Sequence, residues 1–295
     1  MIPLGAEDAA EIEAVLATLG GRPPVSAEEA PLARLAPVLR QAATRLDTGR
    51  GFALLRGLPL ERLGEDQAEN LLLVLGAHLG RAIPQGPTGQ AVQLLSSPAG
   101  GASRWRFHAD AADAVALLAL RTPPEADPAM LVAAAAVHNE MMKRQRAALE
   151  LLYAPIPHLQ RRGSAEAPAV VSMPVFSSAS GAFVGRYARD AIEAAQRLPE
   201  TPRLSAAQVE ALDLLDAICA EPGLALRMEV RPGDVLLFNP LQVWKRRAEG
   251  AETEGAPREA LKLMLVTPTS RALPQGLAAV GEEPAAGMGA GMVGG

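Results

Sequence analysis

The chain has 295 residues, 49% of them hydrophobic, enough to build the core of one large β-rich domain or two small ones. Its 28 Lys and Arg against 33 Asp and Glu give a formal net charge of -5, without the basic excess that nucleic-acid phosphates demand. No apolar run reaches the roughly 20 residues of a bilayer span, no leader-like segment opens the chain, and the lone Cys219 excludes an internal disulfide. A cytoplasmic protein without nucleic-acid or membrane partners is therefore expected. Cys219 lies in the apolar stripe LDLLDAICAEP, where it reads as a small buried hydrophobe.

Residues 1 to about 46 carry two amphipathic helical patterns, EDAAEIEAVLATL and APLARLAPVLRQAATRL, separated by the breaker Gly20 to Pro24. Gly51 to Leu60 reads as a buried strand ending in a Gly-Leu-Pro turn, and EDQAENLLLVLGAHLG as a helix with an acidic first turn. AVQLLSS and AVALLALR are short strands, while AMLVAAAAV is either a strand or the start of the helix that continues in HNEMMKRQRAALELLY. VVSMPVFSS, the turn Ala179 to Gly181 and AFVGRYA form a hairpin pattern. A helix begins near Arg189, and another runs from the N-cap Ser205 to about Ala220. LALRMEVRPGDVLLFNP alternates Leu226, Met228 and Val230 with charged residues, turns at Pro232-Gly233-Asp234 and continues as a buried strand. LKLMLVTP closes the β structure.

Residues 1–268 contain neither repeat nor linker, which predicts one β-rich α+β domain: short strands in a barrel or jelly roll, with helices outside. Residues 269–295 end in GEEPAAGMGAGMVGG, a Gly- and Ala-rich stretch without periodicity that predicts a disordered tail.

Four histidines are few enough to weigh singly. His78 ends a helix and suits packing or capping, His138 opens HNEMM, and His158 lies in a Pro- and Arg-rich loop. His108 differs: in Phe107-His108-Ala109-Asp110 the period of an extended chain puts imidazole and carboxylate on one face. Those are two members of the two-His-one-carboxylate set that holds non-haem Fe(II).

In order along residues 50 to 268, GFALLRGLPL, LGAHLGRAIPQ, FHADAADAVALLALR, AAVHNEMM, RYARDAIEAAQRLP and RPGDVLLFNP resemble the TauD/TfdA-like Fe(II)/2-oxoglutarate-dependent oxygenases. The resemblance implies a double-stranded β-helix (jelly-roll) core with flanking helices, a small-molecule substrate, and Fe(II) and 2-oxoglutarate as cofactors. It implies His108 and Asp110 as metal ligands, with the second His expected where Asn239 to Arg247 carries Lys245. Arg258 and Lys262 match two basic residues that clamp the cosubstrate, and Ala126-Asp127-Pro128-Ala129 replaces a segment that normally brings a hydroxyl to it. Lys262 supplies a point charge where Arg would supply a planar fork. Trp105, Arg186, Tyr187 and Trp244 are candidates for lining a substrate pocket, the tryptophans being equally at home in a core.

To ligate metal, Lys245 would have to lose a proton, which from a reference pKa of ~10.4 costs roughly 4 to 5 kcal/mol at neutral pH. An ion pair between Lys245 and Asp110 at the metal position is expected instead. Three functions follow: a binding or partner protein with a degenerate site, an active oxygenase with an atypical site, or a non-oxidative enzyme using Lys245 as base or Schiff-base amine.

Overall fold

The computed structural model describes residues 1–85, 88–96, 106–123, 128–160, 169–178, 181–246, 258–269 and 273. Strand β1 (Ile2–Pro3) lies parallel to β2 (Phe52–Arg56), and helices α1 (Ala6–Leu19) and α2 (Leu35–Asp47) run between them. In α1 the buried Ala9, Ile12, Leu16 and Leu19 recur at helical spacing, and Gly20, at φ 57°, closes the last turn through its N–H. The short α3 (Leu60–Leu63) leads into α4 (Glu65–Ala77), then β3 (Arg81–Ala82), β4 (Val92–Ser96), β5 (Phe107–His108), β6 (Ala114–Arg121) and β7 (Ala129–Ala133). Helices α5 (Ala134–Arg144) and α6 (Arg146–Leu152) follow, then β8 (Ile156–Gln160), β9 (Ala169–Met173), β10 (Phe176–Ser177) and β11 (Val184–Gly185). Helices α7 (Arg189–Gln196) and α8 (Ala206–Cys219) precede the last strands, β12 (Leu226–Met228), β13 (Val235–Phe238), β14 (Val243–Arg246) and β15 (Glu259–Val266).

Two larger sheets face each other. The seven-stranded sheet runs β1-β2-β13-β6-β15-β3, with β4 also paired to β15, and the four-stranded sheet runs β12-β7-β14-β5. Strand parity sorts the side chains into layers. Ala53, Leu55, Val235, Leu237, Ala116, Leu118, Leu263 and Leu265 pack outward under α1, α2 and α4. The residues between them, Leu54, Val115, Leu236 and Phe238, meet Leu131 and Val243 of the smaller sheet. The outer face of that sheet buries Phe107, Val132 and Trp244 against α5, α6 and α8. Because β13 is covered on both faces, all four of its residues are buried, and a near-continuous apolar run is what such a strand requires.

Most sequence-predicted elements stand where the patterns put them, with three corrections. The helix expected at His138 begins one turn earlier, at Ala134, and breaks at Gln145, whose backbone leaves helical geometry at φ -153°, ψ 82°. The segment around His158 is a strand, β8, paired antiparallel with β9 in a register that sets His158 opposite Val171. Its prolines mask that β character in sequence: Pro157 lacks an amide N–H and so weakens the strand signal. Leu226, expected to face inward, is exposed, because β12 is an edge strand of only three residues. Cys219 is buried as expected, and burial pushes its thiol up. Ser205 caps α8 by accepting the Gln208 N–H at 3.2 Å; His78 closes α4 through its backbone N–H, and its ring packs with Nε2 2.8 Å from the Ala30 carbonyl oxygen. Apart from Thr269 and Leu273, the expected tail lies outside the described residues. Among the described residues no helix is long and apolar enough to cross a membrane.

Candidate functional site

The space between the two sheets collects the charged residues singled out in the sequence. On β5 and just beyond it, Phe107 and Ala109 point into the helix-covered core, so His108 and Asp110 point between the sheets. On β14 the same parity buries Trp244 behind the sheet and turns Lys245 inward, in register with His108 across the antiparallel pair. On β15, Leu261 and Leu263 face the outer helices, which leaves Ala260 and Lys262 on the inner face, with Arg258 just before the strand.

Asp110 is the meeting point. Lys245 Nζ lies 3.6 Å from its Oδ2, and Lys262 Nζ, from the other sheet, lies 3.4 Å from its Oδ1. The three side chains are only 10–13% exposed. Burial by itself would push the Asp110 carboxyl up, but Lys245, Lys262 and His108 together hold it well below the usual carboxylate range. Burial, reinforced by Lys245, lowers the His108 imidazole, so it stays neutral at pH 7 against the pull of Asp110. Lys245 Nζ also stands 6.0 Å over the ring of Phe238.

Beside this cluster is a cavity of about 100 Å³ with apolar walls, Leu95, Leu117, Leu131 and Leu236, and three cationic side chains, Lys245, Arg246 and Arg258. Arg258 thus reaches the cavity, whereas Lys262 turns to Asp110, a partner its sequence match did not suggest. Arg246 stands in the quoted stretch without an assigned role, and strand parity alone would have set it against its neighbour Lys245.

The expected pocket residues divide. Arg186, 4% exposed, is buried close enough to Asp110 for the carboxylate to offset part of the lowering that burial imposes on the guanidinium. Tyr187 and Trp244 do not line the cavity. They fill the core behind the smaller sheet, with rings 5.5 Å apart, and this corrects the pocket-lining expectation for both. The Tyr187 hydroxyl donates to Asp216 at 2.6 Å, and the Trp244 indole N–H donates to the Gly185 carbonyl at 3.0 Å. Both polar tips are thus satisfied inside the core, which is what allows these large rings to be buried there. Trp105, Ala126 and Asp127 lie outside the described residues. His138 donates to or accepts from Tyr153 Oη at 2.9 Å, and its ring packs edge-on against Phe176 and Phe183.

The donor set tests poorly against a divalent ion. Among the described residues no three His, Cys, Asp or Glu side chains converge. One imidazole and one carboxylate face two ammoniums, which have no lone pair to offer until they lose a proton. The residues present therefore do not fit a facial triad.

Comparison with known proteins locates the chain. Residues 17–264 match the model of the taurine catabolism dioxygenase TauD, TfdA family. FR-33289 synthase of Streptomyces rubellomurinus (strain ATCC 31215) is 27% identical over 271 residues, covering 84% of this chain and 78% of that protein. Asparagine oxygenase, solved with Fe(II), 2S,3S-3-hydroxyasparagine and succinate, shares the fold at a TM-score of 0.68 and 21% identity, over 90% of this chain and 93% of that one. The non-heme iron oxygenase OrfP, solved with Fe, succinate and (3R,4R)-dihydroxy-L-Arg, does so at 0.64 and 16%, with the same coverage. On the extent of the family match, this chain belongs to the taurine catabolism dioxygenase TauD, TfdA family.

Proposed function

We propose that this chain is a degenerate member of its family: one jelly-roll domain over residues 1–268 that binds a small molecule, alone or as a partner subunit, without iron-dependent oxidation. One observation carries the reading. Lys245, in register with His108, stands 3.6 Å from Asp110, and a second ammonium, Lys262, stands 3.4 Å from the same carboxylate. An ion entering there would have to displace both cations or deprotonate one, at roughly 4 to 5 kcal/mol per lysine from its reference pKa. An amine engaged with a carboxylate is also a poor nucleophile, which weighs against Schiff-base chemistry at Lys245.

The second reading, an active oxygenase with an atypical metal site, is favoured by the family match and by the iron and succinate of the solved relatives. Anaerobic reconstitution with Fe(II), desalting and metal analysis, followed by oxygen uptake with 2-oxoglutarate, separates the two. The degenerate reading expects little retained iron and no 2-oxoglutarate-dependent uptake. Stoichiometric iron with such uptake establishes the active oxygenase instead.

A further inference from the structure

We infer that Tyr153 and His138 form a second chemical site, behind the smaller sheet, in which the phenol is a nucleophile acylated by an uncharged donor with an apolar acyl chain. This site shares no residue with the cluster at Asp110 and is independent of whether metal binds there.

The ring proton of His138 is fixed by its neighbours. His138 Nδ1 lies 3.4 Å from Asn139 Oδ1, and Nε2 lies 2.9 Å from the Tyr153 hydroxyl oxygen. An amide oxygen can only accept, so in the neutral imidazole Nδ1 carries the proton and donates it. Nε2 is left as a lone pair, to which the phenol donates. Nucleophile, base and orienting group thus stand in line, the arrangement that activates a weak hydroxyl nucleophile. Burial pushes the Tyr153 phenol up, which makes the free phenolate scarce at neutral pH and leaves reaction dependent on the base.

The surroundings hold the base and leave the nucleophile reachable. His138 is buried, and Phe176 and Phe183 meet its ring edge-on at 5.3 and 5.1 Å, which keeps the lone pair on Tyr153. Tyr153, where α6 ends, is 39% exposed. Phe183 is only partly buried, and Met142, one helical turn beyond His138 on α5, is half exposed. Apolar surface of this kind beside a nucleophile complements an alkyl chain better than a charged group.

In the reaction the Tyr153 oxygen attacks the acyl carbonyl carbon while its proton passes to His138 Nε2. A carbon–oxygen bond forms, the bond to the leaving group breaks, and the leaving group departs with the electron pair. The proton on His138 then goes to the leaving group or to water. Tyr153 becomes an ester, and nothing is oxidised or reduced.

The test is incubation of the full chain with p-nitrophenyl hexanoate, and separately with p-nitrophenyl acetate, with free N-acetyltyrosinamide as internal standard, followed by peptide mass mapping. The chain has two tyrosines, and the other, Tyr187, is fully buried and donates to Asp216, so an acylated phenol is assigned without ambiguity. Tyr153 should react roughly a hundredfold or more faster than the free phenol, the contribution of a positioned base. Relative to the standard, hexanoate should outpace acetate. H138Q, whose amide can still accept the phenol's hydrogen bond but cannot take its proton, should lose the hundredfold factor. Acylation no faster than that of the standard, acylation confined to lysines, a preference for acetate, or a folded H138Q that reacts like the wild type would overturn the inference. The comparison with the free phenol is made on the wild type and decides the matter even if H138Q fails to fold.

Discussion

At Asp110 a single carboxylate settles the charge of two lysines from different sheets, and the environment of each group follows from which neighbours share its face. Lys245→His exchanges an ammonium for a neutral imidazole, removing a cation that competes for Asp110 and adding a ligand. Fe(II) affinity should rise by roughly tenfold or more in an anaerobic titration against the wild type. Turnover should stay absent, since Lys262 still engages Asp110. No gain on substitution would show that position 245 does not stand in for a ligand.

His158 allows a second prediction at this scale. Its ring is fully buried, with Nδ1 2.8 Å from the Ile156 carbonyl oxygen and Nε2 without a hydrogen-bond partner among the described residues. Burial brings its pKa down to about 4, with Arg186 acting in the same direction. Below about pH 6.5 the unfolded chain takes up a proton that the folded chain refuses, so stability present above that pH is lost as the pH falls toward the folded value. The loss between pH 7 and pH 5 should be about 2 kcal/mol from this residue. Buried His108, lowered likewise, adds to it with the same sign. Urea unfolding at the two pH values should show a smaller difference for His158→Gln than for the wild type. Equal differences would exclude His158 as the source.

Among the elements, those with an uninterrupted period were legible from sequence. The paired apolar stripes of α1 and α4 and the apolar run of β13 declare both type and buried face. β8 was not legible, because Pro157 interrupts it and its pairing with β9 is not a local property. The approach of α4 to β15 depends on glycine at its end. A Cβ on Gly80 would stand 2.3 Å from the Val266 carbonyl oxygen and 3.0 Å from its carbon, and neither backbone atom can turn aside. Gly80→Ala should therefore destabilise the protein by about 1–3 kcal/mol through overpacking. Chemical denaturation of the variant checks this, and an unchanged midpoint would mean that the strand end yields freely.

For the whole molecule, the absence of a fitting metal set among the described residues predicts indifference to chelation. A ligand that binds only the folded state raises stability in proportion to RT ln(1 + [L]/Kd). Thermal melting in EDTA and in anaerobic Fe(II) should give the same midpoint, and a rise of several degrees with iron would count against the degenerate reading.

What the sequence determined by itself is local and periodic. His-x-Asp had to present both side chains on one face of an extended segment, because side chains alternate along any strand. The expected ion pair between Lys245 and Asp110 is also present, at 3.6 Å. Only the tertiary structure decided that Lys262 reaches Asp110, that Arg186 is buried near it, and that Tyr187 and Trp244 pack behind the sheet. Those outcomes depend on which sheet each strand joins and how the two sheets stack. Residues as far apart as 110 and 262 meet through that long-range arrangement, and no local period encodes it.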